Sequence, residues 1–217
     1  MAITRRTVTA ALSLTGLAAL AGISPLRLIA DAMAQSAAEI AKPQSLPDMA
    51  LGPADARVTI VEYAAPTCPH CAAFNRDVFP RIRSEYIDTG KVRYVFREFP
   101  LNIKDIACSM LTRAIAGGDS AKYFAVADIM FNQQDRLVEK TAETLKLIGK
   151  QAGLSSQAVE DCLKDQALMD KLTAVRQFAI DVLKVQGTPT FFVNGEMIVG
   201  EVAFEAFDRR IKSLLKT

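Results

Sequence analysis

Val58-Thr59-Ile60-Val61-Glu62-Tyr63-Ala64-Ala65, then Cys68-Pro69-His70-Cys71, then Ala72-Ala73-Phe74: the order of these three pieces decides the fold. The first is β-branched and apolar enough for a buried strand. The last opens a segment with Val78 and Ile82 at four-residue steps, the period of a helix. Two thiols three residues apart, with the chain's only histidine between them, therefore fall on a strand-to-helix junction with Cys68 at the helix N-terminus. Unpaired backbone N–H groups and the positive end of the helix dipole favour an anion there, which stabilises the Cys68 thiolate and lowers its pKa. His70 can add a donor or a positive charge to the same sulfur. Because the thiolate is the nucleophile in disulfide exchange, and at low pKa the better leaving group, Cys68 is suited to accept and pass on disulfides.

A C-x-x-C pair is also half of a zinc site. Zinc normally takes four Cys or His ligands in paired clusters, whereas the remaining candidates, Cys108 and Cys162, are far apart in the chain. Neither a metal nor another cofactor is expected. A second motif lies at Gly187-Thr188-Pro189-Thr190-Phe191-Phe192-Val193-Asn194-Gly195, where a Gly-Thr-Pro turn runs into a β-rich stretch ending in Asn-Gly, a hairpin-turn signal. Proline at a strand start is compatible with a cis peptide bond.

These two motifs and the spacing between them resemble the thioredoxin-fold thiol:disulfide oxidoreductases, and within them the DsbA-like periplasmic disulfide-forming proteins. The resemblance covers about Asp48 to the C-terminus. It implies an α/β thioredoxin fold with an inserted helical domain, Cys68 as the attacking thiol, Cys71 as the buried resolving thiol, and Pro189 as a cis-proline facing the Cys68–Cys71 disulfide. For Glu62, six residues before Cys68, it suggests a buried acid near Cys71 that helps proton transfer. The implied partners are reduced or unfolded exported client proteins and a membrane thiol oxidase as reoxidant. At one position the chain departs from the best-known oxidase: Thr188, not a valine, precedes Pro189. Threonine there also resembles the isomerase and reductase relatives, so the direction of electron flow stays open.

The N-terminus reads as an export signal over residues 1–34: Arg5-Arg6, an apolar run from Val8 to Ile23, then Ala32-Met33-Ala34 as a cleavage site. Thr4-Arg5-Arg6-Thr7-Val8 partly matches a twin-arginine signal. The alternative is an uncleaved anchor, for which the apolar run is slightly short. Residues 1–34 hold Arg5, Arg6, Arg27 and Asp31, and the remainder carries 23 basic and 23 acidic side chains. That balance favours neither nucleic acid nor an anionic membrane surface as a partner.

Residues 35–47, with two prolines and small polar side chains, read as a flexible lead-in to one domain over 48–217. Lys91–Arg97 alternates like a strand. Helical periodicity then predicts an insertion at about 103–185, with segments near Ile103–Ala116, Tyr123–Asn132, Thr141–Gln151, Ser156–Lys164 and Leu168–Val185. Phe191–Val199 reads as a hairpin, and Phe204, Phe207, Ile211 and Leu214 give a closing helix one apolar face. There is no internal repeat.

Several residues carry two readings. Glu62 either reaches a sheet edge or is buried with a raised pKa. Phe74, Phe79 and Phe99 belong to a core or line a peptide groove. Thr188 presents its backbone to a bound strand, with its side chain bonded within the local turn. With Cys68 and Cys71 paired, Cys108 and Cys162 are the remaining intramolecular pair, expected as a structural disulfide of the insertion; buried free thiols are the alternative. The reading is a monomeric periplasmic dithiol oxidase; its rivals are a reductase or isomerase on the same fold and a metal carrier using the motif thiols.

Overall fold

The computed structural model describes residues 37–216, so the export signal expected over 1–34 lies outside the described residues. In chain order the elements are a helical turn α1 at residues 37–40, β1 (Met49–Leu51), β2 (Val58–Ala64), α2 (Pro69–Asp77), α3 (Phe79–Ile82) continuing as a π-helical turn over Arg83–Ile87, and β3 (Val92–Glu98). Helices α4 (Ile103–Ala116), α5 (Ser120–Asn132), α6 (Gln134–Glu139), α7 (Thr141–Gln151), α8 (Ser156–Cys162) and α9 (Gln166–Asp181) follow. The chain then closes with β4 (Thr190–Val193), β5 (Glu196–Val199) and α10 (Phe204–Lys216).

The strands form one mixed sheet in the order β1-β3-β2-β4-β5. β2 and β3 are parallel, Val58 beside Val92 through to Ala64 beside Glu98. A parallel pair needs a crossover, which α2, α3 and the π turn supply. β4 joins the other side of β2 antiparallel and turns back into β5 through Asn194 and Gly195, whose φ angles of 46° and 93° are those of a two-residue hairpin turn. The Asn194 side chain also accepts from the Thr59 N–H at 2.7 Å, which ties this turn to the start of β2.

Alternation along the strands sends Ile60, Glu62, Ala64, Tyr94, Phe96, Phe191 and Val193 to one face, packed with Phe74 of α2, Tyr123 and Phe124 of α5, and Phe207 and Ile211 of α10. Val61, Tyr63, Val95 and Phe192 face the other way, onto Leu172, Val175 and Ala179 of α9. A third cluster, including Leu111, Met130, Leu145, Ile148 and Val159, is the insertion's own core. Phe74 and Phe99 are core residues, and Phe79 packs partly buried on the first cluster.

The structure departs from the sequence reading in three places. The lead-in is not a free tether, because Ile40 and Leu46 bury themselves against the α9 side of the sheet and Ser45 Oγ donates to the Lys171 carbonyl. Its two apolar anchors are masked in the sequence by prolines and small residues. β1 is too short for its alternation to show. Between the segments expected near Tyr123–Asn132 and Thr141–Gln151, residues Gln134–Glu139 form a further short helix, α6, with Gln133 as its N-cap.

The insertion is fastened to the sheet by a buried ion pair. Arg113 of α4 donates from Nε and Nη2 to both oxygens of Glu98 at the end of β3, at 2.5 and 2.8 Å, and Tyr123 O–H adds a third bond at 2.8 Å. Arg113→Met leaves a buried carboxylate without its counter-charge and is expected to lower stability by about 3–5 kcal/mol in urea titration. The double variant Glu98→Leu/Arg113→Met is expected to recover much of that loss; a double variant no better than the single one would show that packing, not charge, fastens the joint.

Candidate active site

Proline at the first position of α2 leaves Cys68 as the N-cap, with extended backbone (φ −80°, ψ 119°). Its side chain stands where a capping oxygen would stand, without a capping hydrogen bond, and the backbone N–H groups of His70 and Cys71, the second and third residues of the helix, favour its anion. Cys68 is 4% exposed, and its sulfur lies 3.3 Å from the Thr188 carbonyl oxygen.

The two sulfurs are driven in opposite directions. Cys68 is lowered from the ordinary thiol value to about 5, first by the Cys71 thiol, against the opposing cost of burial, with the Thr188 side chain and the two backbone N–H groups adding to the effect. Cys71 is fully buried and held well above the ordinary thiol value, first by desolvation and then by Cys68 and the charge on Glu62. Glu62 is 4% exposed, and burial raises it to about 8, partly offset by the hydrogen bond from Tyr94 O–H to its Oε2 at 2.6 Å; the Cys68 charge raises it further. The site therefore places a stabilised thiolate, a neutral thiol and a protonated carboxyl in one buried cluster at neutral pH.

The second motif arrives at the same point. The Thr188–Pro189 peptide is cis, Pro189 is buried, and the Thr188 backbone faces Cys68. The His70 ring bonds to Glu201 and not to the sulfur, while its electrostatic coupling to Cys68 is the one expected of a nearby cation. It is exposed, with Nδ1 2.9 Å from Glu201 Oε2. Hydrogen bonding to Glu201 raises its pKa, and the Cys68 charge adds to that rise. Cys108 and Cys162 are thiols in this structure, as are Cys68 and Cys71, so the expected 108–162 bridge is not formed here. Cys108 belongs to the insertion's core, whereas Cys162 packs partly buried against the α9 cluster.

Sequence reasoning missed the groups that hold the loop before Cys68. Asp105 is fully buried and accepts the N–H of Thr67 at 2.7 Å and of Leu101 at 2.9 Å. Asn102 caps α4 and donates to Thr67 Oγ1 at 3.0 Å. Gln134 Nε2 donates to the carbonyls of Pro66 and Cys68 at 2.8 and 2.9 Å. Asn102 followed three residues later by Asp105 was a legible helix-start signal. Gln134, Tyr94 and Glu201 carry no local signal, because each reaches the site only through tertiary structure.

A family profile described as thioredoxin matches residues 44–213. The crystal structure of Wolbachia pipientis alpha-DsbA1 superposes with a TM-score of 0.73 at 31% sequence identity, covering 81% of this chain and 94% of that one. Fold, buried dithiol and cis-proline together place the chain in the thioredoxin family, in its DsbA-like branch. It is 39% identical over 150 residues to a candidate protein-disulfide oxidoreductase of Rickettsia bellii, covering 68% of this chain but 57% of that protein, so the chain spans little more than half the length of that relative. It is 28% identical over 177 residues to the disulfide bond formation protein D of Bacillus subtilis, covering 76% of each.

Ultraviolet thiolate absorbance of the reduced protein is expected to titrate in one step near pH 5, belonging to Cys68, and Cys71→Ala should move that step upward by removing the neighbouring thiol that favours the anion. A midpoint near the ordinary thiol value would refute the assignment of Cys68 as the stabilised anion.

Proposed function

We propose that this chain is a periplasmic dithiol oxidase that donates a Cys68–Cys71 disulfide to newly exported proteins. The observation that carries the reading is the asymmetry of the two sulfurs. Only the reduced form holds a thiolate, and the site favours that thiolate, so reduction of the disulfide is favoured. A client thiolate attacks Cys68; the S–S bond breaks, Cys71 leaves with the electron pair, and Glu62 protonates it. A second client thiolate then attacks the client sulfur of the mixed disulfide. Cys68 departs as its stabilised thiolate, the client is oxidised by two electrons, and a membrane thiol oxidase takes those electrons from the dithiol. Residues 1–34 export the chain, which acts as a monomer. The name of the Bacillus subtilis relative and the fold shared with alpha-DsbA1 support this reading.

Direction is tested by equilibration with glutathione, where the couple is expected to be more oxidising than the buffer; a couple more reducing would favour the reductase reading. Cys68→Ala is expected to abolish disulfide transfer, while Cys71→Ala traps clients on Cys68 because nothing resolves the intermediate. Clients trapped on Cys71 in the converse variant would reverse the roles.

Stability follows from the same asymmetry. A folded pKa depressed to about 5 gives the reduced protein a stabilisation that is complete above the unfolded thiol's pKa and lost as pH falls through about 5. The oxidised protein has no such group. Reduced protein should melt higher than oxidised at pH 7, and the gap should close towards pH 5; equal melting temperatures at pH 7 would count against the oxidase.

We also propose that Cys108 and Cys162 pair in an oxidising compartment. They lie on α4 and α8, which pack together, and Leu163 beside Cys162 packs on the cluster that holds Cys108. Mass spectrometry of non-reduced, thiol-blocked protein should show the 108–162 cross-link; two alkylated thiols at these positions would refute it.

A further inference from the structure

A buried carboxyl that exchanges a proton with one neighbour has two oxygens, and the exchange is directed only if the other oxygen is occupied. In this site Tyr94 occupies it. Its O–H donates to Glu62 Oε2 at 2.6 Å, and among the described residues it is the one hydrogen-bond donor to that carboxyl. The phenol is itself fixed. Tyr94 is 1% exposed, its ring lies 4.9 Å from Phe79 and 6.1 Å from Phe124, and the β2–β3 register sets it beside Ile60 with Glu62 beside Phe96, so the hydroxyl reaches Glu62 across a diagonal of one sheet face. The groups facing Glu62 are few: Cys68 at the N-cap of α2, Cys71 within that helix, Tyr94 from β3, and Tyr123 from α5, whose own O–H is taken by Glu98. β4 presents Phe191 beside it.

We propose that Tyr94 is the positioning residue for proton exchange at Cys71: its O–H holds Glu62 Oε2, leaves Oε1 as the oxygen that trades a proton with the Cys71 sulfur, and supplies the donor that the carboxylate form needs. The proposal rests on the reading of Glu62 as the acid–base partner of Cys71. When the Cys68–Cys71 bond opens, its electron pair goes to Cys71 and the proton moves from Glu62 Oε1 to that sulfur. When Cys71 attacks a mixed disulfide on Cys68, the proton returns to Glu62 and the departing thiol takes the electron pair. In both directions the carboxylate exists transiently in a desolvated place, where an unpaired anion is costly and a hydrogen bond to it is worth most. The bond from Tyr94 favours the charged form of Glu62 and so opposes the rise that burial imposes.

Reduced protein mixed with excess Ellman's reagent separates the two sulfurs. Cys68 attacks first, in a phase proportional to reagent, and Cys71 then displaces the second thionitrobenzoate in a phase independent of it. Tyr94→Phe keeps the ring and removes the O–H. The second phase is expected to slow about tenfold at neutral pH and its pH profile to move up by about one pH unit, because a Glu62 without its donor ionises later. The first phase should be unchanged, which also shows that the site is intact. Glu62→Gln should slow the second phase further and flatten its pH dependence, and adding Tyr94→Phe to it should change nothing more. A Tyr94→Phe profile superimposed on that of the parent, while Glu62→Gln slows the second phase, would overturn the role of Tyr94 alone. A normal second phase in Glu62→Gln would overturn the reading beneath it as well. Additive slowing in the double variant, or equal slowing of both phases by Tyr94→Phe, would mean that the phenol acts on something other than Glu62, and would also overturn the proposal.

Discussion

An anion held at the N-terminus of α2, out of water, is the constraint on which the rest of the molecule depends. Burying a charge is unfavourable unless every lone pair finds a donor, and a helix N-terminus offers donors with no other use. Cys68 is nearly inaccessible and yet favours ionisation, so the donors outweigh the desolvation that opposes them. Three residues along the same helix the balance reverses. Cys71 has no comparable set of donors, and a charge on Cys68 or on Glu62 opposes its own, so burial dominates and the thiol stays neutral. One turn of helix therefore creates the chemical difference between the two sulfurs, on which the proposed division into attacking and resolving thiol rests.

That difference survives only if the loop entering α2 keeps its place, and the helical insertion is what fixes it. Asp105 at the start of α4 binds the N–H of Thr67, and Gln134 at the start of α6 binds the carbonyls of Pro66 and Cys68. The insertion is braced in turn against the end of β3 by Glu98, Arg113 and Tyr123. A surface ion pair would contribute little to such a joint, but this one is buried and bidentate, with a third hydrogen bond. The added helices thus do more than cover one side of the sheet: they carry positioning groups to a loop that the sheet alone would leave with free backbone donors and acceptors.

The parts of this arrangement that were legible in the sequence are those set by neighbours along the chain. β2, α2 and the C-x-x-C junction follow from periodicity and from proline at a helix start, and the β4–β5 hairpin follows from Asn194-Gly195 adopting positive φ. α4 and α7 lie where their apolar spacing places them. Contacts between distant segments were not legible. Tyr94 looks like any alternating strand residue, and its importance comes from a register that sets it diagonal to Glu62. His70 was read from its place between two cysteines as a partner for the thiolate, but its ring turns to Glu201, 131 residues away, in a loop that no local pattern marks. Ile40 and Leu46 likewise find their partners on α9, well over a hundred residues further on.

Glu62 shows why the site cannot be read as a set of stabilising interactions. A carboxyl with a folded pKa of about 8 is held as an acid at neutral pH, and the sign of its linkage is opposite to that of Cys68: stability is fully present below the ordinary carboxyl value and lost as pH rises through about 8. An apolar side chain in its place would escape that loss and would pack on the same face as Ile60 and Ala64. Packing therefore does not account for a carboxyl there, whereas the proposed proton transfer requires one. Glu62 charges most easily when Cys68 does not, and Cys71 is hardest to charge when either neighbour is an anion. The three groups thus share a limited capacity for negative charge in one dry volume, and opening or closing the disulfide decides which of them holds it.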